Sequence, residues 1–185
     1  MKNNSGFGLL EIMVAIGLIG MVMAAVVPNY QRRIPRAQRE NFITSLDNLS
    51  QFARQNALRT QKVHKVFFDI TNRRAWIEQL VPGKDSKGDP IFAPVKSASI
   101  RAVCAWEQQF VFQNFIIEGV DELSAYGGGR STKEVWFFIV PDGLAQEVTI
   151  NIADTKDTIK GKSRQIGLVL NPFTAQYKVY DAYQK

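Results

Sequence analysis

Residues 6–28 read GFGLLEIMVAIGLIGMVMAAVVP, and this stretch decides the architecture of the chain. From Phe7 to Val27 there are 21 consecutive residues whose single charge is Glu11. As a helix they would rise about 31 Å, close to the roughly 30 Å of a bilayer's hydrocarbon core. A secretory signal would carry a shorter apolar run and a small-residue cleavage site after it. Glu11 is the informative residue. A carboxylate costs about 2.5–3.5 kcal/mol at the centre of a bilayer and by default marks function. Four residues beyond Phe7, about 6 Å along the helix, it lies near the interface, where that cost falls. The nearest fixed cation would be a new amino terminus on Phe7, made by cutting the Gly6–Phe7 bond.

Working outward, the helix should resume after Pro28. Pro35 disfavours helix at Ile34, so a kink or irregular turn is expected over 29–36. Phe42, Leu46, Leu49, Ala53 and Ala57 then recur at i, i+4, i+7, i+11 and i+15, an apolar stripe of helical period. The second half of the helix is therefore amphipathic, with one face for a folded domain to pack against. From Val63 the period changes to two. Val66, Phe68 and Ile70 alternate, Thr71-Asn72 offers a turn, and Ala75, Ile77 and Gln79 continue on the return. Pro82–Pro90 reads as a polar loop and Phe110–Ile117 as a further strand. Glu134–Val140 and Glu147–Ile152 flank the turn Pro141-Asp142-Gly143. Gln165–Leu170 and Gln176–Tyr180 flank Asn171–Thr174. The predicted fold class is α+β: a long N-terminal helix, membrane-spanning first and amphipathic second, packed on a C-terminal antiparallel β-sheet domain. The boundaries are a leader at 1–6, an apolar helix at 7–27, its continuation at 28–60 and a β-rich domain at 61–185.

Of 185 residues, 158 follow Val27, enough for one domain with its own core. The single cysteine, Cys104, excludes an internal disulfide and reads as a small buried hydrophobe in a strand-like stretch. The net charge of +6 is uneven, for residues 31–74 hold ten Lys/Arg against three acids. Such a cluster suits lipid headgroups, an acidic partner or a solvated helix face.

No catalytic constellation emerges. Gly161-Lys162-Ser163 lacks the earlier glycine of a P-loop, because Lys156 stands there. His64 is the only histidine, so sites needing two are excluded; it reads as a strand-edge residue. Gly127–Arg130 reads as a loop. Asn48-Leu49-Ser50 fits a glycosylation pattern but falls inside the helix. No cofactor and no metal site is expected, and the chain is not read as an enzyme.

The ordered features of the N-terminus resemble those of type IV pilin and pseudopilin precursors. They are a short polar leader with Lys2, glycine at Gly6, phenylalanine at Phe7, glutamate at Glu11 as the fifth residue counted from Phe7, proline at Pro28 and the aromatic Tyr30. The order of helix, hairpins and final strand pair is similar to the pseudopilin H and FimT-like branch. The resemblance implies cleavage after Gly6 by a prepilin peptidase, which also N-methylates Phe7, and assembly through Glu11. Gly17, Gly20 and Ala24 would permit close helix contact, Gly20 and Ala24 as a small-xxx-small pair. Gly17, Gly20 and Pro28 also weaken the helix, each glycine by about 1 kcal/mol relative to alanine.

The implied partners are other pilin or pseudopilin subunits, the peptidase, an inner-membrane assembly platform and membrane lipid. The implied function is that of a structural subunit of a type II secretion pseudopilus or type IV pilus. DNA uptake by a membrane-anchored minor pilin is the alternative, with residues 31–74 as phosphate contacts. Against it stand a tail, Tyr177–Lys185, with only Lys178 and Lys185 as cations, and no evident aromatic-and-arginine platform for single strands. The implied location is a single pass in a bacterial inner membrane with a periplasmic C-terminal domain. Lys2 before the span and Arg32, Arg33, Arg36 and Arg39 after it favour the opposite orientation by the positive-inside rule.

A small residue before the cut lets the backbone enter a peptidase cleft. Replacing Gly6 with a bulky residue is therefore expected to leave an uncut precursor, whereas the parent chain should begin at methylated Phe7. Intact mass of membrane-extracted protein reads both outcomes, and a parent chain still starting at Met1 would refute the assignment.

Overall fold

The computed structural model describes residues 8–95, 102–125, 134–159 and 161–184. Two compact units are present, residues 1–38 and 39–185. One helix, α1 (Leu9–Thr60), supplies the described part of the first unit and enters the second. The helical assignment runs through 29–36, so the expected irregular turn does not occur. Each proline removes one N–H donor, and Pro28 and Pro35 are about two turns apart, so the rest of the ladder survives.

In the second unit the stripe predicted from period is buried as a set. Leu46, Leu49, Ala53 and Ala57 are fully inaccessible and Phe42 nearly so. They pack on two antiparallel sheets. The first contains β1 (His64–Asp69), β2 (Arg74–Lys84), β3 (Pro90–Pro94), β4 (Val103–Ala105) and β7 (Glu134–Ile139). Its order is β3-β2-β1-β7, with β4 also pairing β2. The second sheet runs β10-β9-β8-β5-β6. It is made of β5 (Phe110–Ile117), β6 (Val120–Asp121), β8 (Val148–Ile159), β9 (Lys162–Leu170) and β10 (Tyr177–Tyr180). A single turn, α2 (Glu122–Ala125), follows β6.

Several expectations change in detail. Pro82–Lys84 belong to β2, across a register irregularity between Leu80 and Lys84, and the polar loop shrinks to an Asp85-centred turn. There Asp85 Oδ1 accepts from Lys87 N–H and Asp89 N–H, at 2.8 and 2.9 Å. The segments around Pro141-Asp142-Gly143 do not form a hairpin. β7 joins the first sheet and β8 the second, and only an Ile139–Ala145 bridge survives at the turn. Val135, Phe137 and Ile139 already pair with β1, which fixes β7 in the other sheet. The final pair is as expected: Leu170 faces Tyr177 across β9 and β10.

His64 is not at a strand edge. It is fully buried at the start of β1, which lies between β2 and β7. Burial pushes its imidazole below the ordinary value, and Nδ1–H donates to the Lys62 carbonyl at 3.0 Å. Cys104 is buried as expected, which raises its thiol to about 12. Ser50 of the glycosylation-like triplet is also buried, its hydroxyl 3.4 Å from that of Tyr177.

A second, shorter polar contact ties the helix to the last strand. Tyr177 N–H donates to Asp47 Oδ1 at 2.6 Å, while burial raises the Asp47 carboxyl above its usual range. Asp47→Ala leaves that N–H without an acceptor, a loss of about 1.5–3 kcal/mol for a bond to a charged group. Leu49→Ala should cost more, about 2–5 kcal/mol, since it empties a filled core position. Urea denaturation of both variants against the parent measures the two losses and their order.

Candidate functional site

Gly6 and Phe7 lie outside the described residues. The described chain begins at Gly8, whose carbonyl accepts from Glu11 N–H at 3.0 Å and Ile12 N–H at 3.3 Å. Glu11 thus occupies the first turn of α1, where the helix dipole favours a carboxylate. Around and beyond it, every large apolar side chain from Leu9 to Met23 is at least half exposed, Ile12 at 50% and Leu9 at 80%. The exposure covers all faces, so this is not the one-sided pattern of a helix on a globular surface. Gly17 and Gly20 stand open, with no atom within 4 Å of an added Cβ, and Ala24 is exposed. At 100° per residue, Gly17, Gly20 and Ala24 fall within about 60° of one another, and Glu11 points at least about 120° away from them. The small residues and the acid therefore lie on different faces of the helix.

Among the described residues no helix is long and apolar enough to cross a membrane. The apolar residues described with their side chains, Leu9–Ala24, rise about 24 Å, and the expected span of 7–27 extends past them at both ends. Pro28 lies within α1.

Five of the ten cations in the basic stretch are engaged within the domain. Arg39 pairs with Asp157, which also lies 3.6 Å from Arg164. Arg54 Nε donates to the Gly143 carbonyl at 3.2 Å, and Arg59 to Asn56 Oδ1 at 3.0 Å. Lys65 meets Glu78 at 3.2 Å and Arg74 meets Asp69 at 3.6 Å. Burial works against the Asp69 charge, but hydrogen bonds from the side chain and N–H of Asn72, with Arg74 beside it, outweigh that and lower its carboxyl. Gly127–Arg130 lies outside the described residues.

The outer face of the first sheet carries a feature the sequence reading missed. In register across three strands stand Trp76, Phe67 and Trp136. Phe67 stacks on Trp136 at 5.8 Å between centroids with planes 5° apart, and lies 4.5 Å from Trp76. Arg74 covers Trp76 at 5.2 Å, so an aromatic-and-arginine platform does exist. Its signal was alternation: Lys65-Phe67-Asp69 and Arg74-Trp76-Glu78 are the out-facing partners of the strand positions that were read as core. Lys65 Nζ sits 4.6–5.2 Å from the rings of Phe67, Phe92 and Trp136, and Trp76 Nε1 donates to Glu78 at 2.9 Å. The platform is thus neutralised from within, each cation held by a carboxylate of the same face.

The side chains of Lys65 and Glu78 are each 15% exposed, between a surface pair worth under about 1 kcal/mol and a buried pair whose breaking costs about 3–5 kcal/mol. Lys65→Ala is expected to lose about 2–3 kcal/mol. In a Glu78→Gln background the same change should cost less, because no carboxylate is stranded. A double-mutant cycle by chemical denaturation measures the difference.

Comparison with known proteins adds two findings. Residues 1–27 match the prokaryotic N-terminal methylation motif. Two solved structures of the minor pseudopilin EpsH from the type II secretion system of Vibrio cholerae share the fold, each with a TM-score of 0.51 and 12% identity. They cover 78% and 80% of this chain and 97% and 99% of their own. A search of curated protein sequences finds no match. The chain thus carries an N-terminal methylation motif ahead of a helix-on-sheets fold that it shares with a pseudopilin.

Proposed function

We propose that the chain is a structural subunit, a minor pilin or pseudopilin, of a type II secretion pseudopilus or a type IV pilus. Prepilin peptidase cuts it after Gly6 and methylates Phe7. Residues 7–27 hold it in the inner membrane, with the domain in the periplasm, until it passes from the assembly platform into the filament. The observation that carries this reading is the all-round exposure of Leu9–Met23 around a single carboxylate, Glu11. Apolar side chains exposed on every face of a helix require lipid or other helices around them. A plain anchor has no use for an acid there, whereas an assembling subunit does. The amine of an incoming Phe7, displaced axially by about 6 Å, would meet Glu11 of a neighbour and set the register. Gly17, Gly20, Ala24 and Pro28 then serve close packing and local unwinding on another face.

DNA binding is the weaker reading. Its phosphate contacts would have to come from cations such as Lys65 and Arg74, which carboxylates of the same sheet already hold.

Glu11→Ala is expected to insert and be processed normally, yet to lose cross-linking to neighbouring subunits and incorporation into filaments. Site-specific cross-linking in membranes, alongside intact mass for processing, separates the two. Normal incorporation of the variant would remove the assembly role of the acid.

A further inference from the structure

The first sheet ends on β7, and its outer edge is half used. Phe138 N–H donates to Gln146 Oε1 at 2.9 Å, and Phe138 C=O accepts from Gln146 N–H at 3.1 Å. Both groups point away from β1. By antiparallel alternation the main-chain N–H and C=O of Trp136 point the same way. Among the described residues neither has a partner. Gln146 therefore imitates one residue of an added strand, and among the described residues nothing fills the next position along.

Other edges are better defended. β3 begins and ends on proline, at Pro90 and Pro94, and β6 has two residues. On β10, the outward N–H of Tyr177 is taken by Asp47. Natural sheets guard edges in such ways, and an unguarded one is a template for strand addition.

Beside Trp136 lies a cavity of about 220 Å³, walled by the apolar Ile117, Val135, Trp136 and Phe138 and rimmed by Glu122 and Glu134. No Lys or Arg lines it among the described residues, and Glu118 stands close by, accepting from Gln146 Nε2 at 3.2 Å. The edge thus offers main-chain hydrogen bonds, an apolar recess and negative charge together. These select an extended segment with a small apolar side chain toward the recess and a Lys or Arg next to it.

We propose that the free edge of β7 is a strand-addition site for such a basic, extended segment of another polypeptide, paired through the main chain of Trp136. The site stands on the strand edge and does not depend on assembly through Glu11.

The probe is a labelled seven-residue peptide of alternating valine and threonine with one lysine, against the same peptide carrying glutamate instead. Both are titrated by fluorescence anisotropy into the full-length protein in detergent micelles, with amide exchange followed in parallel. The lysine peptide should slow exchange at Trp136 at least tenfold, leave Val179 on β10 unchanged, and bind at least fivefold more tightly than the glutamate peptide. Trp136→Pro removes an N–H that lies outside the β1 ladder and should abolish binding. Glu134→Lys, which leaves the backbone alone, should reverse the preference between peptides. Equal binding of the two peptides, or binding indifferent to Glu134→Lys, would overturn the proposal. So would a Trp136 amide that, in the free protein, exchanges as slowly as those of Val135 and Phe137.

Discussion

The apolar stripe of α1 from Phe42 to Ala57 holds the second unit together, because both sheets contribute to the one core it enters. Phe42 stacks on Phe110 at 4.6 Å and lies 5.9 Å from Trp106, while Phe68 of the first sheet meets Phe112 and Phe115 of the second. Ala53 and Ala57, both fully buried, keep the helix thin where it runs against the sheets. A larger residue at either would have to displace close-packed neighbours, and such overpacking typically costs 1–3 kcal/mol. The charges then arrange themselves around this core. Arg39 and Arg164 flank Asp157, and Arg164 also reaches Asp181 at 2.6 Å, so the long β8–β9 hairpin is tied to the helix and to the chain end. At the other side Asn151 grips residue 184 through a reciprocal pair, Gln184 N–H to Oδ1 at 2.9 Å and Nδ2 to the Gln184 carbonyl at 2.8 Å. Gly167 permits this, because a Cβ there would collide with the Ala182 carbonyl.

Much of this was legible in the sequence, for identifiable reasons. Periodicity reports burial, so the five stripe residues and the alternations Val66-Phe68 and Ala75-Ile77 could be read directly. Turn chemistry reports reversals, so the turns after Asp69 and after Leu170 were placed. Periodicity carries no information on which strand pairs with which. β7 and β8 flank a good turn yet part company, since the apolar residues of β7 fit beside β1 and those of β8 between β5 and β9. How the basic stretch is neutralised could not be read for a related reason. Lys65 and Glu78 are thirteen positions apart in sequence and directly opposed in the sheet, so local charge counts could not see their neutralisation. The platform of Trp76, Phe67 and Trp136 was missed because only the parity of Val66, Phe68, Ala75 and Ile77 was followed, whereas these three occupy the opposite parity.

The N-terminal unit presents the converse situation: its sequence is more informative than its packing. A helix apolar on every face has no internal criterion for orientation, and nothing in Leu9–Met23 apart from Glu11 distinguishes one side from another by charge. An ion pair formed there would add little net stability, since desolvating a carboxylate and an amine costs several kcal/mol each before their attraction repays it. Position is what such a pair can supply. Dispersion contacts between apolar helices vary gradually as one slides past another, whereas a charge pair in a low-dielectric surrounding falls off within a few ångströms of its best geometry. In the proposed assembly, a single carboxylate in the first turn, on a different face from Gly17, Gly20 and Ala24, would divide the work of the helix. The small residues would allow close approach at many offsets, and the acid would make one of those offsets preferred.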